Sequence, residues 1–237
     1  VTNRCNLTCA HCFVYRDANP NEAPARVRDE LGDDDILETL AGLRDRHGIR
    51  SMLWMGGEPM LRRSLLARGV PLFERNTITT NGTVPLVDFG TDVLYVVSLD
   101  GPENLNDAIR GKGVYRRVMR TLAGIPDEFR TPVQVQCVVT RRNQDRLEEL
   151  VRAVRETRAC WMTFSFYVPR AGDQGPHAWA TNEERVPAVR EVMRLKASYP
   201  GLVRNSRRSL ELMLPPHADA VTAACIPHAR LLPLYLD

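Results

Sequence analysis

Short apolar runs alternate with amphipathic helical patterns along most of this chain, and this alternation limits the folds that it can adopt. The apolar runs are rich in β-branched and aromatic residues, and most of them have the composition of strands that are buried on both faces. Strands that alternate with helices indicate a parallel sheet with right-handed crossover connections. We predict strands at Arg50–Met55, Asn76–Thr80, Val93–Leu99, Val133–Val139 and Trp161–Val168, and helices at Asp33–His47, Gly113–Leu122, Asn143–Arg155, Asn182–Ala197 and Ser209–Leu214.

The number of strands favours an incomplete barrel. A cysteine-rich loop at the start of the chain requires a strand before it, of which Val1 and Thr2 are the only residues present. The predicted total is then six strands, fewer than the eight of a complete (β/α)8 barrel. The predicted fold class is therefore α/β, a partial (β/α)6 TIM-like barrel whose first strand is largely missing from this chain, followed by the start of a C-terminal extension. We assign residues 1–180 to the barrel and residues 181–237 to a C-terminal helical segment with the start of that extension. Because the chain begins with Val and ends in an apolar run, we expect further residues on both sides.

Three cysteines lie within the first twelve residues, with the spacing Cys5-x3-Cys9-x2-Cys12. Three thiolates on one short loop can hold a single iron–sulfur cluster, and since a four-iron cluster normally takes four cysteines, one iron is left to bind a small molecule. An open ligand position suggests catalysis, as it does at a three-ligand zinc site. The alternative is a structural zinc held by the three cysteines and His11, although His11 is adjacent to Cys12 and neighbouring residues rarely reach the same tetrahedral ion.

Polar motifs follow the predicted strands at their carboxyl ends, which is where ligands bind in barrels and open parallel sheets. In Gly56-Gly57-Glu58-Pro59, two glycines allow the backbone to approach a ligand closely, and the glutamate supplies an acceptor. The next strands end in Thr79-Thr80-Asn81-Gly82 and in Ser98-Leu99-Asp100-Gly101, where Ser98 and Asp100 could bond sugar hydroxyls. Arg110 could pair with a ligand carboxylate in bidentate fashion, or with Asp107 three residues away. Each motif taken alone is also compatible with an ordinary turn.

Taken together, in this order and at successive strand ends after a cysteine loop, the motifs resemble those of the radical SAM superfamily, in particular the branch that carries a SPASM or twitch extension. The resemblance covers about residues 1–168. It implies a [4Fe–4S] cluster held by Cys5, Cys9 and Cys12, with S-adenosylmethionine chelating the free iron through its amino and carboxylate groups. An electron donor such as flavodoxin or ferredoxin is then expected as a partner.

The resemblance also implies roles for individual residues. The Gly56–Glu58 segment matches the loop that hydrogen-bonds the methionine amino group, Ser98 matches a ribose contact, and Arg110 matches the arginine that faces the methionine carboxylate. His11 occupies a usually aromatic position that packs near the adenine, and Asn106 replaces a histidine that many relatives have. The predicted cofactor-binding set is Gly56, Gly57, Glu58, Ser98, Arg110, His11, Asn81 and Asp100.

The segment after the last predicted barrel strand is the candidate substrate loop, because loops at the carboxyl ends of strands carry specificity in barrels. Its polar and aromatic residues are Arg170, Asp173, His177 and Trp179, and Arg170 suggests an anionic group on the substrate. The alternative is an exposed connector. Further along, Cys225 is a possible ligand of a second, auxiliary Fe–S cluster, or an ordinary cysteine.

Composition excludes several classes of protein. The net charge of +3 without a basic block predicts no nucleic-acid partner. There is no apolar run of membrane-spanning length and no signal-peptide pattern, so no membrane association is predicted. The cysteines outside the loop, such as Cys137 and Cys160, have the sequence context of small buried hydrophobic residues, and this usage favours a reducing cytoplasm.

The sequence therefore predicts a radical SAM enzyme that reductively cleaves S-adenosylmethionine to a 5′-deoxyadenosyl radical and modifies a natural-product intermediate or a peptide. One alternative is an adenosyl-transferring enzyme of the hopanoid type, which the C-terminal residues resemble more weakly. The other is a non-catalytic protein that binds an Fe–S cluster or zinc on the same barrel. The intact Gly56–Glu58, Ser98 and Arg110 positions argue against the non-catalytic alternative.

Overall fold

A parallel β-sheet forms the centre of the protein. The computed structural model describes residues 1–12, 30–169, 175–215 and 217–218. Its sheet has five strands in the order β1-β2-β3-β4-β5, and every neighbouring pair is parallel. This arrangement confirms the α/β fold predicted from the alternating pattern. The strands are β1 (Ser51–Trp54), β2 (Arg75–Thr80), β3 (Val93–Ser98), β4 (Val133–Val139) and β5 (Trp161–Phe166).

Helices connect the strands and cover one face of the sheet. Helix α1 has three aspartates in its first turn and ends at Gly48, which adopts the left-handed conformation that favours glycine. Helix α2 was not predicted from the sequence, because it has only seven residues and follows a 3₁₀ turn at Pro59–Arg62. The helices are α1 (Asp33–His47), α2 (Arg63–Gly69), α3 (Glu103–Arg110), α4 (Val114–Ala123), α5 (Leu147–Arg155), α6 (Asn182–Ser198) and α7 (Arg207–Glu211).

The two faces of each strand differ, so the prediction that most strands are buried on both faces is wrong. In β5, Met162, Phe164 and Phe166 are buried, whereas Thr163 and Ser165 are half-buried. The buried side chains belong to one hydrophobic core with residues of the helices. The alternating positions of β4 and β5 carry polar residues on the concave face, toward the barrel interior.

The sheet is a partial barrel that is not closed by hydrogen bonds between its edge strands. At one edge, the segment after α6 extends the sheet, since Val203 forms a parallel bridge with Met162 and Arg204 N donates to Met162 O at 2.9 Å. At the other edge, Val1 and Thr2 are not part of a strand in the described residues, although Thr2 O accepts from Gly57 N at 2.7 Å. The first residues therefore lie beside the loop that follows β1.

Helix α6 joins the barrel core rather than forming a separate one, because Val189, Val192 and Leu195 belong to the same hydrophobic cluster. The domain division at residue 180 stays a prediction. Of the two cysteines predicted to be buried, Cys137 is buried but Cys160 is exposed, because it precedes β5 instead of lying within it. None of the described helices is both long enough and apolar enough to cross a membrane.

Candidate functional site

A cavity of about 580 Å³ lies at the carboxyl ends of the strands. This volume is within the range of sites that bind small molecules. The cysteine loop, the loops after β1 and β2, the end of β3 and the end of α3 all contribute to its wall. Among the predicted site residues that line it are Cys5, Cys9, Cys12, Gly56, Ser98 and Arg110.

The cysteine loop is fixed to the barrel by its backbone. Ala10 N donates to Ile109 O at 2.8 Å, and Cys12 N donates to Cys9 O at 3.1 Å, so the loop turns tightly against α3. Burial raises the pKa of Cys9 to about 11 and also raises the pKa of Cys5, so iron must displace the thiol protons when it binds.

The donor set fits an iron–sulfur cluster better than a single zinc ion. Three half-buried cysteine sulfurs face one cavity, which is the chemistry of a cluster with one open iron. Within the described ranges, no three His, Cys, Asp or Glu side chains converge closely enough for one metal ion. In a cluster, by contrast, each cysteine binds a different iron, so the sulfurs stand further apart. His11, the fourth ligand of the zinc alternative, places its Nε2 2.8 Å from Asp100 Oδ2.

Glu58 is fully buried and connects the loop after β1 to the end of β2. Its Oε1 accepts from Met60 N at 2.9 Å and from Thr80 Oγ1 at 2.7 Å, and its Oε2 accepts from Asn81 N at 2.7 Å. Burial raises the pKa of Glu58, and these hydrogen bonds oppose that rise. The carboxylate does not line the cavity, whereas Gly56 and Gly57 do. The contact with a methionine amino group stays a prediction, and the backbone of the two glycines is the part of this motif that faces the cavity.

The Gly56 backbone packs closely against the backbone of Thr2, near the start of the chain. Its φ is +150°, and a Cβ at this position would lie 2.5 Å from Thr2 O. Only glycine fits there without moving backbone. The same approach allows Gly57 N to donate to Thr2 O and Glu58 N to donate to Arg4 O, directly before Cys5.

Asp100 forms the centre of a buried polar cluster. Its Oδ2 accepts from Arg110 Nε at 2.6 Å and lies 2.8 Å from His11 Nε2, and its Oδ1 accepts from Val138 N at 2.8 Å. Burial alone would raise the pKa of Asp100, but the guanidinium of Arg110 and the imidazole of His11 hold it well below its usual range. Asp100 itself does not line the cavity, while Arg110 and His11 do. A direct bond from Asp100 to a sugar hydroxyl stays a prediction.

Arg110 does not form the local pair with Asp107 that the sequence left open. Asp107 instead accepts from Gly113 N at 2.6 Å and from Tyr115 N at 2.8 Å, which stabilises the start of α4. Arg110 is therefore oriented by Asp100 toward the cavity.

The remaining predicted cofactor residues lie at the cavity wall. Ser98 ends β3 and is half-buried. Asn81 donates from Nδ2 to Asn6 Oδ1 at 2.8 Å, so it holds the cysteine loop in place. Its Oδ1 accepts from Thr83 N at 3.0 Å.

The candidate substrate loop is only partly described, because Arg170 and Asp173 lie outside the described residues, as does Cys225. His177 and Trp179 are both buried, and neither lines the cavity. Trp179 Nε1 donates to Gln144 Oε1 at 2.9 Å, and the ring packs against Phe166. The ring of His177 lies 5.9 Å from that of His11, so it contacts the site indirectly. A substrate role for this loop stays a prediction.

The sequence interpretation missed the contribution of β4 and β5 to the cavity. Gln136 and Ser165 line it, with Tyr167 just after β5. The signal was present as polar residues at every second position, namely Gln134 and Gln136 in β4 and Thr163 and Ser165 in β5. The predominance of β-branched and aromatic residues in these runs instead favoured strands buried on both faces.

Comparison with known proteins identifies the family. The model of the Radical SAM superfamily matches residues 1–154. The pre-heme d1 synthase of Dinoroseobacter shibae is 32% identical over 166 residues, which cover 64% of this chain and 38% of that protein. A probable GTP 3′,8-cyclase of Methanocella arvoryzae is 28% identical over 65% of this chain and 51% of its own length. The sporulation killing factor maturation protein SkfB of Bacillus subtilis is 27% identical over 64% of this chain and 37% of its own length. The chain thus spans about half or less of these relatives.

Solved structures share the fold at low sequence identity. The native anSMEcpe structure with bound AdoMet has a TM-score of 0.67 at 18% identity and covers 86% of this chain and 61% of that one. The structure of Streptococcus suis SuiB bound to precursor peptide SuiA has a TM-score of 0.64 at 18% identity, over 86% of this chain and 47% of that one. Because the family model spans well over half of the residues, the chain belongs to the radical SAM superfamily, whose members are enzymes that use a [4Fe–4S] cluster and S-adenosylmethionine.

Proposed function

We propose that this chain is the catalytic barrel of an enzyme that cleaves S-adenosylmethionine reductively and uses the resulting 5′-deoxyadenosyl radical to modify a peptide. The observation that carries the proposal is the convergence of three cysteine sulfurs, the Gly56–Gly57 backbone and Arg110 on one cavity. Cys5, Cys9 and Cys12 would hold the cluster. When bound, the cluster supplies the electron that breaks the S–C5′ bond.

Arg110 is suited to hold the methionine carboxylate. Its Nε is occupied by Asp100, and no other partner of the guanidinium is found in the described part of the chain. The fixed planar group can present its terminal nitrogens to a carboxylate in a two-point contact. Since Asp100 keeps the arginine from rotating, little side-chain entropy is lost when the ligand binds.

The apolar part of the wall is suited to keep water away from a reactive intermediate. Leu7, Met55, Val96 and Val138 line the cavity between the polar groups. A carbon radical needs the substrate C–H close by and solvent excluded, so a dry wall around the reacting carbon is required.

Two of the comparisons support a peptide substrate, whereas another reported relative is a probable GTP 3′,8-cyclase. SuiB has been solved with a precursor peptide, and the relative SkfB is a maturation protein. A GTP-like substrate is disfavoured because Arg110 is the one cationic Arg or Lys among the described cavity residues, and a triphosphate requires several cations. We further propose that a SPASM or twitch extension follows the barrel, with Cys225 as a ligand of an auxiliary cluster, and that flavodoxin or ferredoxin delivers the electron.

The proposal can be tested on anaerobically reconstituted protein. We expect an oxygen-sensitive absorbance shoulder that bleaches with dithionite, and 5′-deoxyadenosine and methionine formed from S-adenosylmethionine. Replacing Cys5, Cys9 and Cys12 together by Ala should abolish both, whereas Cys160→Ala, at an exposed cysteine, should retain both. Stoichiometric zinc without iron in protein purified without oxygen would contradict the proposal.

A further inference from the structure

A column of polar side chains runs along the concave face of β4 and β5, and the proposed function does not use it. Trp161 Nε1 donates to Gln134 Oε1 at 2.8 Å, and Gln134 Nε2 donates to Thr163 Oγ1 at 2.7 Å. The column continues because Gln134 Nε2 lies 3.5 Å from Gln136 Oε1, and Gln136 Nε2 donates to Ser165 Oγ at 3.1 Å. Its upper end, Gln136 and Ser165, lines the cavity.

The chemistry of Trp161 fixes the direction of every hydrogen bond in this column. An indole N–H can only donate, so the carbonyl oxygen of the Gln134 amide must face it. The Gln134 nitrogen then points up the column to the oxygen of Gln136, and the Gln136 nitrogen points to Ser165. Each amide orientation thus follows from the one below it.

The column ends in a hydroxyl that is set to donate. Ser165 Oγ accepts from Gln136, and the described part of the chain offers no acceptor for the Ser165 hydroxyl proton. Because the hydroxyl oxygen already accepts a hydrogen bond from Gln136, its proton is directed to the opposite side. In this structure that side is the cavity.

The residues next to Ser165 on the wall carry no charge, and Arg110, the one Arg or Lys among the described cavity residues, is paired with Asp100. The neighbours of Ser165 on the wall are Val138, Phe166 and Tyr167, and no Asp, Glu or Lys is among the cavity residues that the structure describes. The proposed function assigns Arg110 to the methionine carboxylate, which leaves no cation next to Ser165 for a second anion, and a cation would meet a hydrogen-bond donor. The group that this position fits is a neutral hydrogen-bond acceptor.

We infer that Ser165 binds a carbonyl oxygen of the substrate, with Gln136 as a positioning residue that directs its proton and Trp161 setting the direction of the whole column. This inference rests on the proposed function and specifies the substrate group that the barrel recognises. Peptides and nucleobases both supply such a carbonyl.

The experiment uses reconstituted full-length holoenzyme and two neutral probes, a pool of N-acetylated, C-amidated tripeptides and guanosine. The measured quantity is the probe concentration that gives half-maximal stimulation of 5′-deoxyadenosine formation, with the affinity for S-adenosylmethionine recorded for each variant. Ser165→Ala should raise this concentration about tenfold, the effect of losing one hydrogen bond, while Ser165→Thr keeps the hydroxyl and should stay near wild type. Ser209→Ala, on the exposed face of α7, is the matched control.

Two substitutions of Gln136 distinguish an effect on the direction of the Ser165 hydrogen bond from an effect of side-chain shape. Glutamate is closest to glutamine in shape, but its carboxylate can only accept hydrogen bonds. In Gln136→Glu the Ser165 hydroxyl should therefore donate to this carboxylate instead of to the substrate, and the half-maximal probe concentration should rise about tenfold. Gln136→Met removes the contact and leaves the hydroxyl free to donate upward, so the increase should not exceed about threefold. If Gln136 only supports the fold, Gln136→Met should raise the half-maximal probe concentration more than Gln136→Glu does.

Each outcome decides the inference. Stimulation by either probe with the stated order of variants supports it, and the effective probe identifies the source of the carbonyl. An unchanged Ser165→Ala, a Gln136→Met as impaired as Gln136→Glu, or no stimulation by either neutral probe overturns it. Failure of the proposed function is distinct, because wild-type protein would then form no 5′-deoxyadenosine even without a probe.

Discussion

Arg110 donates from Nε to Asp100 Oδ2 at 2.6 Å, and both side chains are buried, with Arg110 lining the cavity. The pair joins the end of α3 to the loop after β3. Since a buried charge without its partner is costly, each member has a role in stability that is separate from any role in ligand binding. The two roles can be measured independently.

Arg110→Ala should weaken binding of S-adenosylmethionine by roughly 1.5–3 kcal/mol, because a charge-assisted contact to the carboxylate is lost. Isothermal titration of the reconstituted protein measures this directly. Arg116→Ala is the matched control, since Arg116 forms a surface pair with Glu103. Equal affinities in the two variants would remove Arg110 from the ligand site and leave it a structural partner of Asp100.

Asp100→Asn should lower the free energy of unfolding by about 3 kcal/mol or more, because the guanidinium of Arg110 stays buried without a counter-charge. Urea denaturation measures the change. Asp34→Asn, which breaks an exposed pair with Arg68, should cost no more than about 1 kcal/mol. Similar losses in both variants would show that the burial of the Asp100 pair has no energetic consequence.

Glu58→Gln should destabilise the protein by about 1–3 kcal/mol, because an amide cannot accept from all three donors that the carboxylate satisfies. One of the buried backbone N–H groups of Met60 or Asn81 would then face another donor. Chemical denaturation provides the measurement, and Glu38→Gln, at an exposed position of α1, is the control. Wild-type stability of Glu58→Gln would mean that the loop after β1 rearranges without cost.

The sequence was sufficient for the order of strands and helices because each strand pairs with the next one in the chain, so no long-range choice of partner arises. It was also sufficient to bring the cysteine loop and Arg110 to one edge, since the carboxyl ends of parallel strands meet there. It could not show that Asp100 and Glu58 direct their carboxylates to protein donors rather than into the cavity. That orientation depends on backbone N–H groups of Val138 and Asn81, which no side-chain pattern reveals.

The loss of thermal stability at low pH should report the contribution of Asp88 to the fold. Hydrogen bonds from Gly90 N and from Thr131 lower the pKa of Asp88 to about 2, below the model-compound value of 3.8. A group with a depressed folded-state pKa stabilises the fold fully above its unfolded pKa and loses that contribution as pH falls toward its folded pKa. Between about pH 4 and pH 2, wild type should therefore lose more thermal stability than Asp88→Asn. Parallel curves for the two proteins in that interval would contradict the assignment.

Gly56→Ala should impair cluster assembly through the backbone alone. The new methyl group would lie 2.5 Å from Thr2 O, and since the obstacle is backbone, no side-chain rotation relieves it. Thr2 must move, and since Gly57 N and Glu58 N hydrogen-bond Thr2 O and Arg4 O, this shift should displace the short segment that leads to Cys5. We expect lower iron content per chain after anaerobic reconstitution and faster loss of iron to a chelator. Gly90→Ala is the matched control, because Gly90 also has a positive φ, +81°, but has no atom within 4 Å of the added carbon. That variant carries only the backbone strain of about 1–2 kcal/mol and should keep its iron. If the two variants retain iron equally, the close approach of Gly56 to Thr2 does not position the cysteine loop.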